Sequence, residues 1–169
     1  MVIGERRLYE ELLKISISGK IAEAIKEWEW TGTYFIEPDE EPETCLCGHY
    51  PIYECCTITN KKTGKEVIVG NCCINRFLET ESDLIFQALK RVKEDNTKSF
   101  NIAAIEYVYG KHIINEWEYD FYKSIMRKRK LSPKQRSKKL SINAKILSSL
   151  RKNTESRKAV NQDQGLFNF

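Results

Sequence analysis

Apolar positions recur at helical spacing at the start of the chain, at strand spacing in its middle, and at helical spacing again towards its end. Leu8, Leu12 and Ile15 predict a helix over 5–15. After a break at 16–19, Ile21, Ala24, Ile25 and Trp28 line one face of a second helix over 20–30. Trp28 and Trp30, close to Tyr34 and Phe35, read as core residues rather than as stacking platforms for bases. Residues 50–59 (YPIYECCTIT) and 65–70 (KEVIVG) are rich in β-formers. Between them, NKKTG carries Gly64 where a left-handed turn residue is needed, so the segment predicts a β-hairpin. A four-residue turn over 61–64 would set Ile58 opposite Val67 and Cys56 opposite Val69.

Beyond the hairpin the period returns to that of a helix. Leu84, Ile85, Ala88, Leu89 and Val92 mark a helix to about Glu94, and residues 99–109 a shorter one stopped by Gly110. Asn115 and Glu118 have the spacing of a capping box ahead of Trp117, Phe121 and Ile125. Ser132, Pro133 and Gln135 restart the helix with an N-cap, a proline at the first helical position and a second capping box. The last helix is expected to turn Leu140, Ala144, Ile146, Leu147 and Leu150 inward, and Arg136, Lys138, Lys139 and Lys145 outward. The terminal Leu166, Phe167 and Phe169 are expected to dock on the chain's own body.

All six cysteines fall between Cys45 and Cys73, and there are only two histidines. The N-terminus, MVIGERRLYEELLK, lacks the apolar run of a signal peptide. A reducing cytoplasm then argues against a disulfide knot and for a metal site. Thiolates are preferred ligands of structural zinc, which takes four in a tetrahedron. Neighbouring strand residues point to opposite faces, so Cys55 and Cys56 cannot both reach one metal from a regular strand, nor can Cys72 and Cys73 if the strand extends that far. Cys45, Cys47, Cys56 and Cys73 are the expected ligands, with His49 in reserve. The Cys-x-Cys-Gly start, with Gly48, suits a knuckle that wraps the ion. Four cysteines would close the site, so the zinc is expected to be structural rather than catalytic.

Charge adds a partner. The net +4 of this 169-residue chain conceals two blocks. Residues 1–122 hold 14 Lys+Arg against 22 Asp+Glu, whereas residues 123–158 hold 14 against one. Such a basic block makes nucleic acid the first candidate partner. The expected contacts are Arg127, Lys128, Arg129, Lys130, Lys134, Arg136, Lys138, Lys139 and Lys145, gripping phosphates with little sequence specificity.

Three strings, read in order, carry a resemblance. They are Cys45-Leu-Cys-Gly-His-Tyr-Pro-Ile52 followed by Cys56-Thr-Ile-Thr-Asn60; Val69-Gly-Asn-Cys-Cys-Ile-Asn-Arg-Phe77; and Trp117-Glu-Tyr-Asp-Phe-Tyr122 with Arg127-Lys-Arg-Lys-Leu-Ser-Pro-Lys-Gln135 and Ile142-Asn-Ala-Lys-Ile-Leu147. Over 27–152 the chain resembles a family of small zinc-finger-like proteins from bacteria, phages and mobile elements. The resemblance implies that Cys45, Cys47, Cys56 and Cys73 are the motif cysteines. It supplies no substrate.

The expected fold is α+β: mainly helical, with a small zinc-stabilised β-hairpin and a C-terminal basic helical hairpin. Its parts are N-terminal helices and an acidic linker (1–44), the zinc module (45–79), a helical region ending in the basic hairpin (80–152) and a tail (153–169). The expected function is that of a cytoplasmic zinc-binding accessory protein that binds nucleic acid. A phage or mobile-element module that binds a host or replication protein is the alternative. No Gly-rich phosphate loop, paired carboxylates or open metal site points to an enzyme or a small-molecule substrate. No apolar run is long enough for a membrane helix.

Overall fold

A computed structural model describes residues 3–151, and the expected docking of Leu166, Phe167 and Phe169 lies outside the described residues. The mixed α+β fold expected from the apolar pattern is present. In chain order the elements are α1 (Ile3–Ile15), α2 (Ile21–Lys26), β1 (Trp28–Phe35), β2 (Glu54–Asn60), β3 (Glu66–Gly70), a 3₁₀ turn (Cys73–Arg76), α3 (Thr80–Glu94), α4 (Ile102–Gly110), α5 (Glu116–Ile125) and α6 (Pro133–Ser149). The three strands form an antiparallel sheet in the order β1-β2-β3.

The β2–β3 hairpin has the expected register, with Ile58 opposite Val67 and Cys56 opposite Val69. Its turn is held by the side chain of Asn60, whose Oδ1 accepts from the N–H groups of Lys62 and Thr63 at 2.9 and 3.1 Å. Gly64 takes φ +72°, the left-handed conformation that an L side chain resists.

The sheet has a third strand where a helix was expected. Trp28 fits the apolar spacing of the preceding helix, but α2 ends at Lys26 and from Trp28 the chain is extended, with Trp28, Trp30, Thr33 and Phe35 buried in the sequence WEWTGTYF. Aromatic and β-branched residues at period two favour an extended strand. β2 supplies the pairing partner from a distant part of the chain, with a bulge between Trp30 and Gly32 absorbing the change of register. Both tryptophans are core residues. Trp28 Nε1 donates to Ser16 Oγ at 2.8 Å, and Trp30 donates to Thr33 and packs on the Tyr107 ring.

One hydrophobic cluster runs from Leu8 to Leu150 and joins the sheet to the helices. Glu27 is a buried polar tie within it. Its carboxylate accepts from the N–H groups of Ile17 and Ser18 and from Asn60 Nδ2, at 2.8–3.0 Å, linking the α1–α2 connection to the hairpin turn. The far end of the chain returns to the sheet, where the N–H of Phe35 donates to the carbonyl of Leu150 at 2.7 Å.

Both predicted capping boxes are formed, Asn115 with Glu118 on α5 and Ser132 with Gln135 on α6. The two helices pack on each other, Glu118 meeting Lys138 and Lys145 and Tyr122 meeting Asn143. The inward face of α6 differs from the expected one. Lys139, Ile142, Asn143, Ile146 and Leu150 are buried, whereas Ala144 is exposed. Lys139 and Asn143 face inward because they satisfy backbone that would otherwise be stranded. Lys139 Nζ donates to Thr97 O and Ser99 Oγ, and Asn143 Nδ2 to the carbonyls of Asn96 and Lys98. Tyr122 completes this network. Its hydroxyl donates to Asn143 Oδ1 at 2.8 Å and accepts from the N–H of Phe100 at 3.0 Å. Burial pushes the Tyr122 phenol up to about 12.

Candidate functional site

The cysteine corner is assembled by two tight backbone features. The first is the turn at Cys45–Gly48. The N–H of Gly48 donates to Cys45 O at 2.7 Å, the N–H of Cys45 to His49 O, and the N–H of Leu46 to Ile68 O, which ties the turn to β3. Gly48 sits at φ +84°, and a Cβ there would also collide with the guanidinium of Arg7. The second feature is the end of β3. The strand stops at Gly70 and the chain winds into the 3₁₀ turn at Cys73.

These features bring three sulfurs together. The Sγ atoms of Cys45, Cys47 and Cys73 all lie within 4.8 Å of one another. Four thiolates at the usual Zn–S length of about 2.3 Å stand roughly 3.8 Å apart at the corners of a tetrahedron, a spacing within that limit. Cys45 and Cys47 are buried, and Cys73 is half-buried. The N–H of Gly70 donates to Cys45 Sγ at 3.2 Å. Hydrogen bonding from the Cys73 thiol, with further help from Gly70 N–H, brings Cys45 down to about 5, while Cys45 in turn pushes Cys73 up. A donor set whose hydrogen bonds favour the thiolate form of one sulfur is suited to a divalent cation, which would displace the remaining protons.

Cys56 stands outside this group. It lies opposite Thr33 on β1 and Val69 on β3, and its sulfur shares a 3.4 Å hydrogen bond with Thr33 Oγ1. Burial pushes its thiol up to about 12. The expectation that Cys56 and Cys73 share a face depends on strand alternation continuing past Val69. Because β3 ends at Gly70, that alternation never reaches Cys73. Cys55, which also stands outside the group of three, takes the other face. It pairs with Gly70, and a Cβ on Gly70 would lie 4.0 Å from Cys45 Cβ. Antiparallel partners share a face, so Cys55 is directed to the side on which Cys45 sits. Cys55 is fully buried, with its sulfur 3.9 Å from Ile52 O. His49 and Cys72 are exposed, and both line a cleft of about 610 Å³ beside the cluster, walled on the other side by Gly4, Glu5 and Leu8 of α1.

The basic block divides into two kinds of cation. Arg127, Lys128, Arg129, Lys130, Lys134 and Arg136, at the bend between α5 and α6, are exposed, and none is ion-paired within the described residues. Lys138, Lys139 and Lys145 differ. Lys145 Nζ donates to Glu118 Oε2 at 2.7 Å, and Lys138 lies 4.0 Å from the same carboxylate and over the Trp117 ring. Burial alone would raise the Glu118 carboxyl. Lys145, the Asn115 N–H and Lys138 outweigh it and hold the group below its ordinary range. Lys139, expected outside, is buried against the 97–99 segment. An inward polar pair at i and i+4, Lys139 and Asn143, was the available sequence signal for this network.

No protein-family model, curated protein or solved structure matches the chain. No helix among the described residues is long and apolar enough to cross a membrane.

Proposed function

We propose that the protein is a zinc-held accessory module that presents the α5–α6 bend to nucleic acid. The observation that carries the metal reading is the convergence of Cys45, Cys47 and Cys73. Cys55 is the fourth ligand in this reading, in place of Cys56, because it shares the face of Gly70 and Cys45. A zinc ion there would pin the 45–48 turn, the end of β3 and the 3₁₀ turn together, a structural role. The cleft's carboxylates favour that role over a catalytic one. Glu5 is engaged by Arg76 at 2.7 Å, and Glu54 by Asn71 and Lys90.

The nucleic-acid reading is supported by the six exposed cations at the bend, which no described carboxylate neutralises. Paired cations elsewhere on the helices are a solubility device at most, whereas an unneutralised group of six can release counterions from a phosphate backbone. Gln135, in the first turn of α6, is engaged by its capping box rather than free to read a base, so binding should be weakly sequence-specific.

Metal analysis of purified variants tests the first half. One zinc per chain is expected, retained in Cys56→Ser and lost in Cys55→Ser. Retention in Cys55→Ser with loss in Cys56→Ser would return the fourth position to Cys56, and a folded, metal-free wild type would end the zinc reading. For the second half, DNA or RNA affinity should fall steeply with salt. Absence of binding at low salt would end the nucleic-acid reading.

A further inference from the structure

The cations at the bend are not spread evenly over a convex surface. Three of them, together with the buried Lys139, border one depression. Lys128 and Arg129 come from the connection after α5, Arg136 and Lys139 from the first turns of α6, and Thr97 and Ser99 from the α3–α4 connection form the opposite wall. The depression measures about 310 Å³, and no carboxylate lines it. Asp95, the nearest acid on the neighbouring segment, is occupied by Thr97 and Lys98.

Lys139 makes this a built site rather than a group of surface lysines. It is only 8% exposed and its ammonium is fixed by Thr97 O at 2.7 Å and Ser99 Oγ at 3.2 Å. Neither partner is charged. An ammonium has three N–H donors, so one remains for a ligand. A largely buried ammonium hydrogen-bonded only to neutral oxygens, with Arg136 beside it, gains from an anion that completes the site. Burial first, and then the Arg136 charge, depress the Lys139 pKa, and the Asp95 charge offsets them only in part. Arg129 and Arg136 can each offer paired N–H donors in a fixed fork, the geometry that suits a tetrahedral oxyanion.

We propose that this notch binds one phosphate group, seated on Lys139 and clamped by Arg136, Lys128 and Arg129. The proposal deepens the nucleic-acid reading by giving the bend a defined phosphate seat in place of a diffuse charge. A diester within a strand and a terminal monoester share the chemistry of the site, and the experiment distinguishes them.

The test uses the full chain in its metal-loaded form. The probes are 3′-labelled oligo(dT) with a 5′-hydroxyl or a 5′-phosphate, followed by fluorescence anisotropy, and inorganic phosphate followed by calorimetry. Lys139→Met risks unfolding the 96–99 segment, so Arg136→Gln and the double variant Lys128→Gln/Arg129→Gln are the working variants. Lys130→Gln/Lys134→Gln, exposed cations outside the notch, is the control. Arg136→Gln should weaken oligonucleotide binding about tenfold, the size of one charge-assisted hydrogen bond. The control should mainly flatten the salt dependence, by about 0.7 of slope for each single-strand phosphate no longer neutralised. Inorganic phosphate should compete with the oligonucleotide. Equal weakening for both oligonucleotides supports a diester in the seat, and weakening confined to the 5′-phosphorylated one supports a monoester. If Arg136→Gln and Lys128→Gln/Arg129→Gln weaken binding no more than the control does, the notch is overturned while nucleic-acid binding stands. If no oligonucleotide binds but phosphate does, in a manner Arg136→Gln abolishes, the notch stands and the nucleic-acid reading falls. Binding of neither probe overturns both.

Discussion

The cysteine corner and the α5–α6 pair solve the same problem, fixing irregular backbone, in opposite ways. At the corner the 45–48 turn and the chain after β3 are held by backbone bonds, and the side chains that converge there are sulfurs. Thiols make weak hydrogen bonds, so an ion that joined these sulfurs would add rigidity that they do not supply by themselves. At the helix pair, the 96–101 segment is held by Tyr122, Lys139 and Asn143 through a network of ordinary hydrogen bonds, with both helices started by capping boxes. Nothing there needs a metal. The comparison separates a region whose stability should depend on solution chemistry from one whose stability should not.

Stripping the metal should give the largest effect. Chelation, or Cys45→Ser, is expected to lower stability by several kcal/mol, since metal binding free energy becomes folding free energy in such sites. Hydrogen exchange should rise first in 45–76 and least in α5 and α6. Uniform loss of protection would show that the two regions are not distinct in this way.

A smaller effect is expected at the other end. Tyr122→Phe keeps the ring but leaves the Phe100 N–H and Asn143 Oδ1 short of a partner in a fully buried site. It should cost about 1–3 kcal/mol in denaturant unfolding, equally with and without chelator. A cost that disappears when the metal is removed would break the comparison.

How much of this was legible in the sequence follows from how local each signal is. The two capping boxes and the hairpin register depend on residues only a few positions apart, and Asn115, Ser132, Ile58 and Cys56 lie as expected. The β1 strand was hidden because Trp28 also completes a helical stripe, and the partner that decides between the two, β2, lies far along the chain. The cysteine parity could be carried only as far as the strand, and β3 ends at Gly70, before Cys73. Lys139 was hidden because lysine is rarely buried, and its hydrogen-bond acceptors, Thr97 O and Ser99 Oγ, lie in a different segment.

A pH-dependent difference should lie at the junction of the sheet with α1 and α2. The Ile17 N–H, together with Asn60 and Ser18, holds the Glu27 carboxyl below its ordinary range. A carboxyl depressed in the folded state stabilises the protein above its unfolded value of about 4.3. That contribution is lost as pH falls through the lower folded value. Wild type should therefore exceed Glu27→Gln in melting temperature by a constant margin above about pH 5.5 and by a shrinking one below about pH 4.5. A margin that grows on acidification would show that the hydrogen bonds do not act on the ionised form.

The smallest expected change comes from the α6 cap. Ser132→Ala removes the acceptor for the Gln135 N–H, at 3.2 Å on an exposed helix start, and should cost about 1 kcal/mol in unfolding measurements. A much larger cost would show that the bend depends on this cap as heavily as the corner depends on its metal.

X-ray absorption at the zinc edge of the purified protein tests the central claim most directly. Cys45, Cys47, Cys55 and Cys73 together predict a single shell of four sulfur scatterers at about 2.3 Å. A shell in which nitrogen or oxygen replaces one or more sulfurs, or a folded protein that carries no zinc, would contradict it.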